Sequence, residues 1–207
     1  VELIGDAAFE RTLSSFKELR EQASNLFTQD FPEFDDNKEE LANKIKNALY
    51  SSILVSYAQG FQMLGNCRKT EEEKLCGYPL DLEEIARIWR GGCIIRAEIL
   101  NDFMEEFKEQ PNLENLLLTD RFSKELNESM SSLRDVVDTA HDIEVPVSVL
   151  GDTISYYDSL RHERLPSAAM IQAMRDYFGS HTYHRVDDPE SVYHTDWTGD
   201  KSEEKFE

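Results

Sequence analysis

The sequence predicts an all-α fold with an extended C-terminal tail. Three observations carry this. Apolar residues recur at intervals of three and four through successive stretches, the spacing of a helix face. Capping and helix-breaking residues punctuate those stretches. No strand ladder and no internal repeat can be read anywhere in the chain.

From Asp6 to Leu26, Phe9, Leu13, Phe16 and Leu19 keep helical spacing. Residues 28–38 read as a loop, because Pro32 and the Asp35-Asp36 pair interrupt the pattern. A long helix follows from about Glu39 to Leu64. Ala48, Ser52, Ser56 and Gly60 form a stripe of small residues along it, flanked by Leu49, Ile53, Tyr57, Phe61 and Leu64. Arg68 to Lys74 reads as a charged, solvated helix end, and Gly77 and Pro79 as a turn.

The central helix begins at Asp81, with Glu84 three residues on, the acidic form of a capping box. Ile85, Ile88, Trp89, Gly92, Ile95, Ile99 and Phe103 form one face, and Leu82, Cys93, Ile94, Ala97 and Leu100 fill much of the other. A helix apolar nearly all round is expected to be buried. Gly91-Gly92 inside it would cost roughly 2 kcal/mol relative to alanine. Close approach of the small-residue stripe would offset that cost. Pro111 ends the extension of this helix.

Leu113 to Leu118 is a short apolar helical turn. Asp120 is expected to cap the next helix, in which Phe122, Leu126, Met130, Leu133 and Val137 recur. Val145-Pro146-Val147 reads as a connector, and Ile154, Tyr157 and Leu160 mark another helix. Leu165-Pro166 breaks it. Ser167 is expected to cap a last helix running to Phe178, with Gly179 as its left-handed terminator. Residues 180–199 have no helical period and are polar and aromatic, with His181, Tyr183, His184, Tyr193, His194 and Trp197. Residues 200–207 are charged and are expected to be disordered.

The 207 residues fit one domain, and 40% hydrophobic with 31% charged residues suit a soluble globular chain. The net charge of -20 argues against nucleic acid and anionic membranes as partners. No apolar run approaches the ~20 residues that span a bilayer, and the first residues resemble neither a signal nor a transit peptide. The chain starts with Val, which suggests a cut or processed product. Cys67, Cys76 and Cys93 have no metal-ligand spacing and suggest reduced thiols in a cytoplasmic setting, with an organellar one left open; a Cys67–Cys76 bridge is the alternative.

Two sets of cations stand out. Arg175 lies near the end of the last helix and His181 six residues on, with Arg161, Arg164 and Arg185 nearby in sequence. Such a group is either an anion site, because arginine binds phosphate bidentately, or a set of exposed cations balancing local acids near helix termini. Lys17, in Ser14-Ser15-Phe16-Lys17, is by itself a surface lysine. No Gly-x-Gly-x-x-Gly, no phosphate loop with Gly-Lys-Ser/Thr, no Gly-x-Ser-x-Gly and no His-Glu-x-x-His occurs. The histidines gather near the C-terminus without helix spacing, so no metal site is expected.

Several stretches together resemble 6-phosphogluconate dehydrogenase. They are Ala48-Leu49-Tyr50, residues 55–61 (Val-Ser-Tyr-Ala-Gln-Gly-Phe), residues 85–97 (Ile-Ala-Arg-Ile-Trp-Arg-Gly-Gly-Cys-Ile-Ile-Arg-Ala), Asn115-Leu116-Leu117-Leu118, Tyr156-Tyr157-Asp158, Arg164-Leu165-Pro166, residues 175–183 (Arg-Asp-Tyr-Phe-Gly-Ser-His-Thr-Tyr) and residues 194–199 (His-Thr-Asp-Trp-Thr-Gly). The order is that of the family, and the resemblance covers the C-terminal part of its helical domain.

The resemblance implies a helical substrate and dimerisation domain over 1–179, a tail over 180–199 reaching a partner subunit, and a loose acidic end. The family oxidises and decarboxylates 6-phosphogluconate to ribulose 5-phosphate with NADP, in the pentose phosphate pathway, as homodimers. By the family's motifs, Arg175 and His181 would bind substrate, and Lys17 its phosphate. Lys46 stands where the family has a phosphate-binding arginine, so the charge is kept and the bidentate fork is not. The NADP-binding domain and the helix carrying the family's catalytic lysine and glutamate have no counterpart here. The chain is therefore expected to lack catalytic, cofactor-binding and metal-binding residues of its own. It would need a second copy or another polypeptide to cover apolar faces. It would serve as a fragment or split-enzyme chain of the dehydrogenase or, in a second reading, as a pseudoenzyme kept for assembly.

Overall fold

The computed structural model describes residues 2–28, 30–67 and 80–206. Within them the chain forms α1 (Glu2–Ser15), α2 (Lys17–Ser24), α3 (Lys38–Cys67), α4 (Leu82–Trp89), α5 (Ile99–Glu109), a short 3-10 turn (Leu116–Leu118), α6 (Asp120–Asp142), α7 (Ser148–Leu160), α8 (Pro166–Gly179), and the strands β1 (Tyr183–His184), β2 (Val192–Thr195) and β3 (Glu203–Phe206). Two compact units result, Val1–Tyr156 and Tyr157–Glu207, with the division inside α7.

In unit 1 the two long helices α3 and α6 pack against each other. Asn37 opens α3, its side-chain oxygen accepting from the amides of Glu39 (3.1 Å) and Glu40 (3.2 Å). The helices run antiparallel: Lys44 meets Asp135 at 3.0 Å, Asn47 meets Ser132 at 3.4 Å and Ser51 meets Ser129 at 2.7 Å. The buried Ser51 and Ser129 hydroxyls bond each other across the seam and also reach carbonyls of their own helices, Asn47 (3.1 Å) and Glu125 (2.8 Å).

Beside this seam Phe61 and Phe103 anchor an aromatic cluster. Phe61 lies 4.9 Å from Trp89 and 5.0 Å from Phe107, and Phe103 lies 5.1 Å from Phe122 and 5.4 Å from Tyr57. Edge-on and tilted pairs of this kind contribute about 0.5–1.5 kcal/mol each beyond the area they bury.

Several expectations are corrected. The central helix is two: α4 ends at Trp89, and Gly91-Gly92 lies in the connection to α5, where Gly92 takes φ +74. A left-handed residue cannot continue a right-handed helix, so the two glycines mark its end. No atom stands within 4 Å of a Cβ built on Gly91, Gly92 or Gly60, so the predicted close approach is absent. The partner of α3 is α6. The open end of the small-residue stripe, Ser56 and Gly60, instead lines a groove of about 480 Å³ with Ile53, Tyr57, Trp89 and Ile95. Nor is the region wholly buried: Ile88 is 54% exposed and Ile94 fully exposed.

The first helix is interrupted at Phe16, whose ψ of 58 is not helical, giving α1 and α2. Asp81 caps α4 as predicted, accepting from the Glu84 amide at 3.1 Å. Thr119, and not Asp120, caps α6 through its hydroxyl to the Phe122 amide (3.3 Å). Leu165 precedes α8 with Pro166 in its first turn, so Ser167 is inside the helix. Ser180, and not Gly179, is the left-handed residue after α8 (φ 50, ψ 43). The expected charged helix end at Arg68–Lys74, the Gly77/Pro79 turn and Cys76 lie outside the described residues; Cys67 and Cys93 are free.

Unit 2 holds the three strands, paired antiparallel in the order β1-β2-β3 with Tyr183 opposite Tyr193 and Val192 opposite Phe206. The tail is therefore sheet, where the sequence shows no ladder, and residues 203–206 of the acidic end are ordered as β3. The fold remains helical in class. Lys205 meets Asp188 at 2.7 Å and lies 5.8 Å from the centre of the Tyr193 ring, while Arg185 bonds Asp187 at 2.6 Å and reaches Glu203, so cations tie down an acidic edge.

Candidate functional site

The four candidate substrate-binding residues, Lys17, Lys46, Arg175 and His181, fall in the two units. Lys17 is the first residue of α2, three-quarters exposed and 3.4 Å from Glu21. The end of α1 before it is closed by side chains. Ser14 and Ser15 donate back to the carbonyls of Arg11 (2.8 Å) and Thr12 (2.6 Å), and Arg20 donates to the carbonyls of Leu13 (2.6 Å) and Ser14 (2.7 Å). Lys46 is exposed on α3. Both belong to unit 1.

Arg175 and His181 belong to unit 2 and flank the C-terminal end of α8. Both are exposed. Arg175 Nη1 donates to Gln172 Oε1 at 3.1 Å, one turn earlier. The His181 ring lies over Gly179, where a Cβ would meet its Cδ2 and Nε2 at 3.0 Å. The glycine of the Arg-Asp-Tyr-Phe-Gly-Ser-His motif therefore makes room for the imidazole.

His181 sits between two non-glycine residues in left-handed conformation, Ser180 (φ 50) and Thr182 (φ 58). Each costs about 1–2 kcal/mol for an L-residue. What holds them is Asp176. Its backbone carbonyl accepts from the Ser180 amide at 2.8 Å, and its carboxylate from the Thr182 amide at 2.8 Å.

The Asp176 side chain is fully buried and takes four donors, two on each oxygen. Oδ1 accepts from Thr182 N and faces His194 Nδ1 at 2.9 Å; Oδ2 accepts from Thr195 N at 3.1 Å and Trp197 Nε1 at 2.8 Å. Against an ionised carboxylate, His194 Nδ1 is the donor. Burial alone would push this carboxyl up. The bonds from His194, Thr195, Trp197 and Thr182 outweigh it and hold the group at about 2.

Gln172 completes the arrangement: its Nε2 donates to the Thr182 carbonyl while its Oε1 receives Arg175. Thr182 is thus gripped at its amide by Asp176 and at its carbonyl by Gln172. A cavity of about 430 Å³, lined by Gln172, Tyr183, His184, Thr195, Trp197 and Glu203, opens beside it.

Asp176, Gln172, His194 and Trp197 are not singled out by the sequence reading as a group. A signal was present for Asp176, since a carboxylate near the C-terminal end of a helix opposes the macrodipole and needs another reason to be there. Chemically, an exposed guanidinium and imidazole at one helix end offer donors to a phosphate or carboxylate. Among the described residues no group of three His, Cys, Asp or Glu side chains could hold a metal ion, and no helix is long and apolar enough to cross a membrane.

A family model described as 6-phosphogluconate dehydrogenase, C-terminal domain, matches residues 1–197. The decarboxylating 6-phosphogluconate dehydrogenases of Rattus norvegicus and Homo sapiens are 42% and 43% identical over 200 and 201 residues, 96% of the chain, and that of Lactococcus lactis is 44% identical over 195. The chain spans about 40% of the length of each. Among solved structures, a Plasmodium falciparum 6-phosphogluconate dehydrogenase superposes with a TM-score of 0.80 at 38% identity, over 90% of this chain and 39% of that one. That protein is described without ligand, with its cofactor NADP+ and with its substrate 6-phosphogluconate.

Proposed function

The chain belongs to the 6-phosphogluconate dehydrogenase family, whose C-terminal domain it matches, and from that premise we propose that it supplies substrate-anion binding and an association surface to a decarboxylating dehydrogenase. Arg175 and His181 would bind 6-phosphogluconate; Lys17 and Lys46 are carried over from the family's motifs as phosphate-binding residues. The observation that carries this reading is the end of α8. There, two donor side chains stand exposed on a turn with two left-handed residues, over a glycine that makes room for the imidazole. Two left-handed residues flanking His181, held in place by the buried Asp176, support a site there.

NADP would be held elsewhere, in the part of the family enzyme that this chain does not span, because no glycine-rich strand-to-helix turn occurs in its sequence. Hydride acceptance is what NADP contributes when bound. This chain's residues would bind and orient the anion, and the proton-transfer lysine and glutamate would come from that same part of the family enzyme, which the 207 residues do not span.

Exposed apolar side chains support the association role. Phe9 (66%), Phe27 (73%), Ile94 (100%) and Phe178 (78%) face outward, as soluble monomers avoid. A second copy, or a polypeptide bringing the remaining portion, would cover them. Light scattering after size exclusion checks this, and a stable monodisperse monomer at micromolar concentration counts against it.

A second reading, an assembly subunit without ligand, is favoured by Lys46, which replaces a bidentate fork with a point charge. Calorimetry with 6-phosphogluconate separates the two. Binding that Arg175→Ala weakens by about 10–100-fold, the worth of a charge-assisted pair, supports the substrate site; absence of binding supports the assembly reading. NADP reduction by the chain with no added partner would show that it carries the proton-transfer groups after all.

A further inference from the structure

The cluster around Thr182 goes beyond the side chains that would touch substrate. Asp176 is buried, and its four donors are two backbone amides, one imidazole and one indole. Its four bonds join α8 to residues 6, 18, 19 and 21 positions further on, so it fastens the returning tail to the helix. A neutral amide could not replace it. An asparagine would turn an NH2 towards either the Thr182/His194 pair or the Thr195/Trp197 pair, donor against donor. Gln172 then links the same turn to Arg175, through the Thr182 carbonyl on one side and the guanidinium on the other.

We infer that Asp176 and Gln172 are positioning residues: they clamp Thr182 from its two sides and so fix His181 and Arg175 in the arrangement that binds the substrate anion. Neither touches the anion. Asp176 sets the turn that carries the imidazole, and Gln172 couples that turn to the guanidinium. The inference rests on the proposed 6-phosphogluconate site. Its structural half, the clamp itself, is testable without ligand.

The test uses the 207-residue chain, 15N-labelled, with amide hydrogen exchange, the ring resonances of His181 and calorimetric titration with 6-phosphogluconate. In the unsubstituted chain the Thr182 amide, though in an irregular turn, exchanges about 100-fold more slowly than the exposed Thr198 amide. An equal rate overturns the clamp with no substitution needed. In Asp176→Asn that protection is lost, the His181 ring resonances move and affinity falls about tenfold or more, with far-UV helix signal unchanged. Gln172→Ala, at a half-buried position that unfolding does not threaten, weakens binding about three- to fivefold and leaves Thr182 protected. Trp197→Phe removes one Asp176 bond on the far oxygen and leaves affinity unchanged. Affinity at the unsubstituted level in both Asp176→Asn and Gln172→Ala overturns the inference, as does an equal loss in Asp176→Asn and Trp197→Phe, which would make the role purely structural. If the unsubstituted chain fails to bind, or Arg175→Ala binds as well as it does, the substrate reading fails instead, and the exchange and ring resonances still decide the clamp.

Discussion

Unit 1 buries Leu54, Phe61, Phe103, Phe122 and Leu133 between helices, with aromatic rings about 5 Å apart. In unit 2, among the described residues, the one buried side chain is the carboxylate of Asp176. Its apolar residues Met170, Ile171, Met174, Tyr177 and Phe178 are all more than half exposed. The first unit is ordered by removing apolar area from water, a non-directional force that tolerates small displacement. The second is ordered by directed bonds, along the β1-β2-β3 ladder and at the two oxygens of Asp176, which tolerate little. The difference teaches why Arg175 and His181 differ from the two lysines of unit 1: directed hydrogen bonds fix a local backbone and side-chain orientation as burial alone does not.

The comparison predicts different responses. The largest is in unit 1. Phe103→Ala removes a fully buried ring that touches Tyr57, Phe61 and Phe122, and should cost about 3–5 kcal/mol in urea unfolding. A loss below 1 kcal/mol would mean the cluster does not carry the unit.

Acid should act on unit 2. Asp176 is held at about 2, below its ordinary value of 3.8. A depressed carboxyl adds stability that is complete above about pH 4 and is lost as pH falls through about 2. The Trp197 indole N–H resonance should therefore be retained at pH 5 and move to its free position between about pH 4 and 2. The Phe103 cluster contains no carboxylate and should not respond by this route. An indole resonance unchanged at pH 2 would break the contrast.

The smallest effect has the opposite sign. Ser180→Gly relieves a left-handed residue and should stabilise unit 2 by about 0.5–1 kcal/mol, read as a rise in thermal midpoint. Destabilisation would show that the serine makes a contribution beyond its conformation.

Much of this was legible in residues close in sequence. The period of Phe122, Leu126, Met130, Leu133 and Val137 marks α6, and all but one of these are under 5% exposed, with Val137 at 5%. The Asp81 cap is read from two residues three apart. The central helix misleads because Ile88, Gly92, Ile95 and Ile99 keep helical spacing across a connection that is not helical. The two glycines were the better signal, since their propensity cost argues for a break before it argues for a tight contact. The strands escape because β2 is four residues long and its partners lie about ten residues away on either side; pairing of that kind depends on context more than on propensity. Arg175 and His181 are legible as motif residues, Asp176 and Gln172 are not, and their role appears only when the tail returns.

The sequence by itself determined the helical class, the family and the motif residues Arg175 and His181 at the end of α8, because periodicity and motifs are written in neighbours along the chain. Only the tertiary structure decided that α3 packs on α6, that the stripe of small residues opens onto a groove, and that one carboxylate gathers Thr182, His194, Thr195 and Trp197. A local pattern says which face of a helix is apolar, and not what that face meets. Donors up to 21 residues from their acceptor are brought to it by the path of the folded backbone.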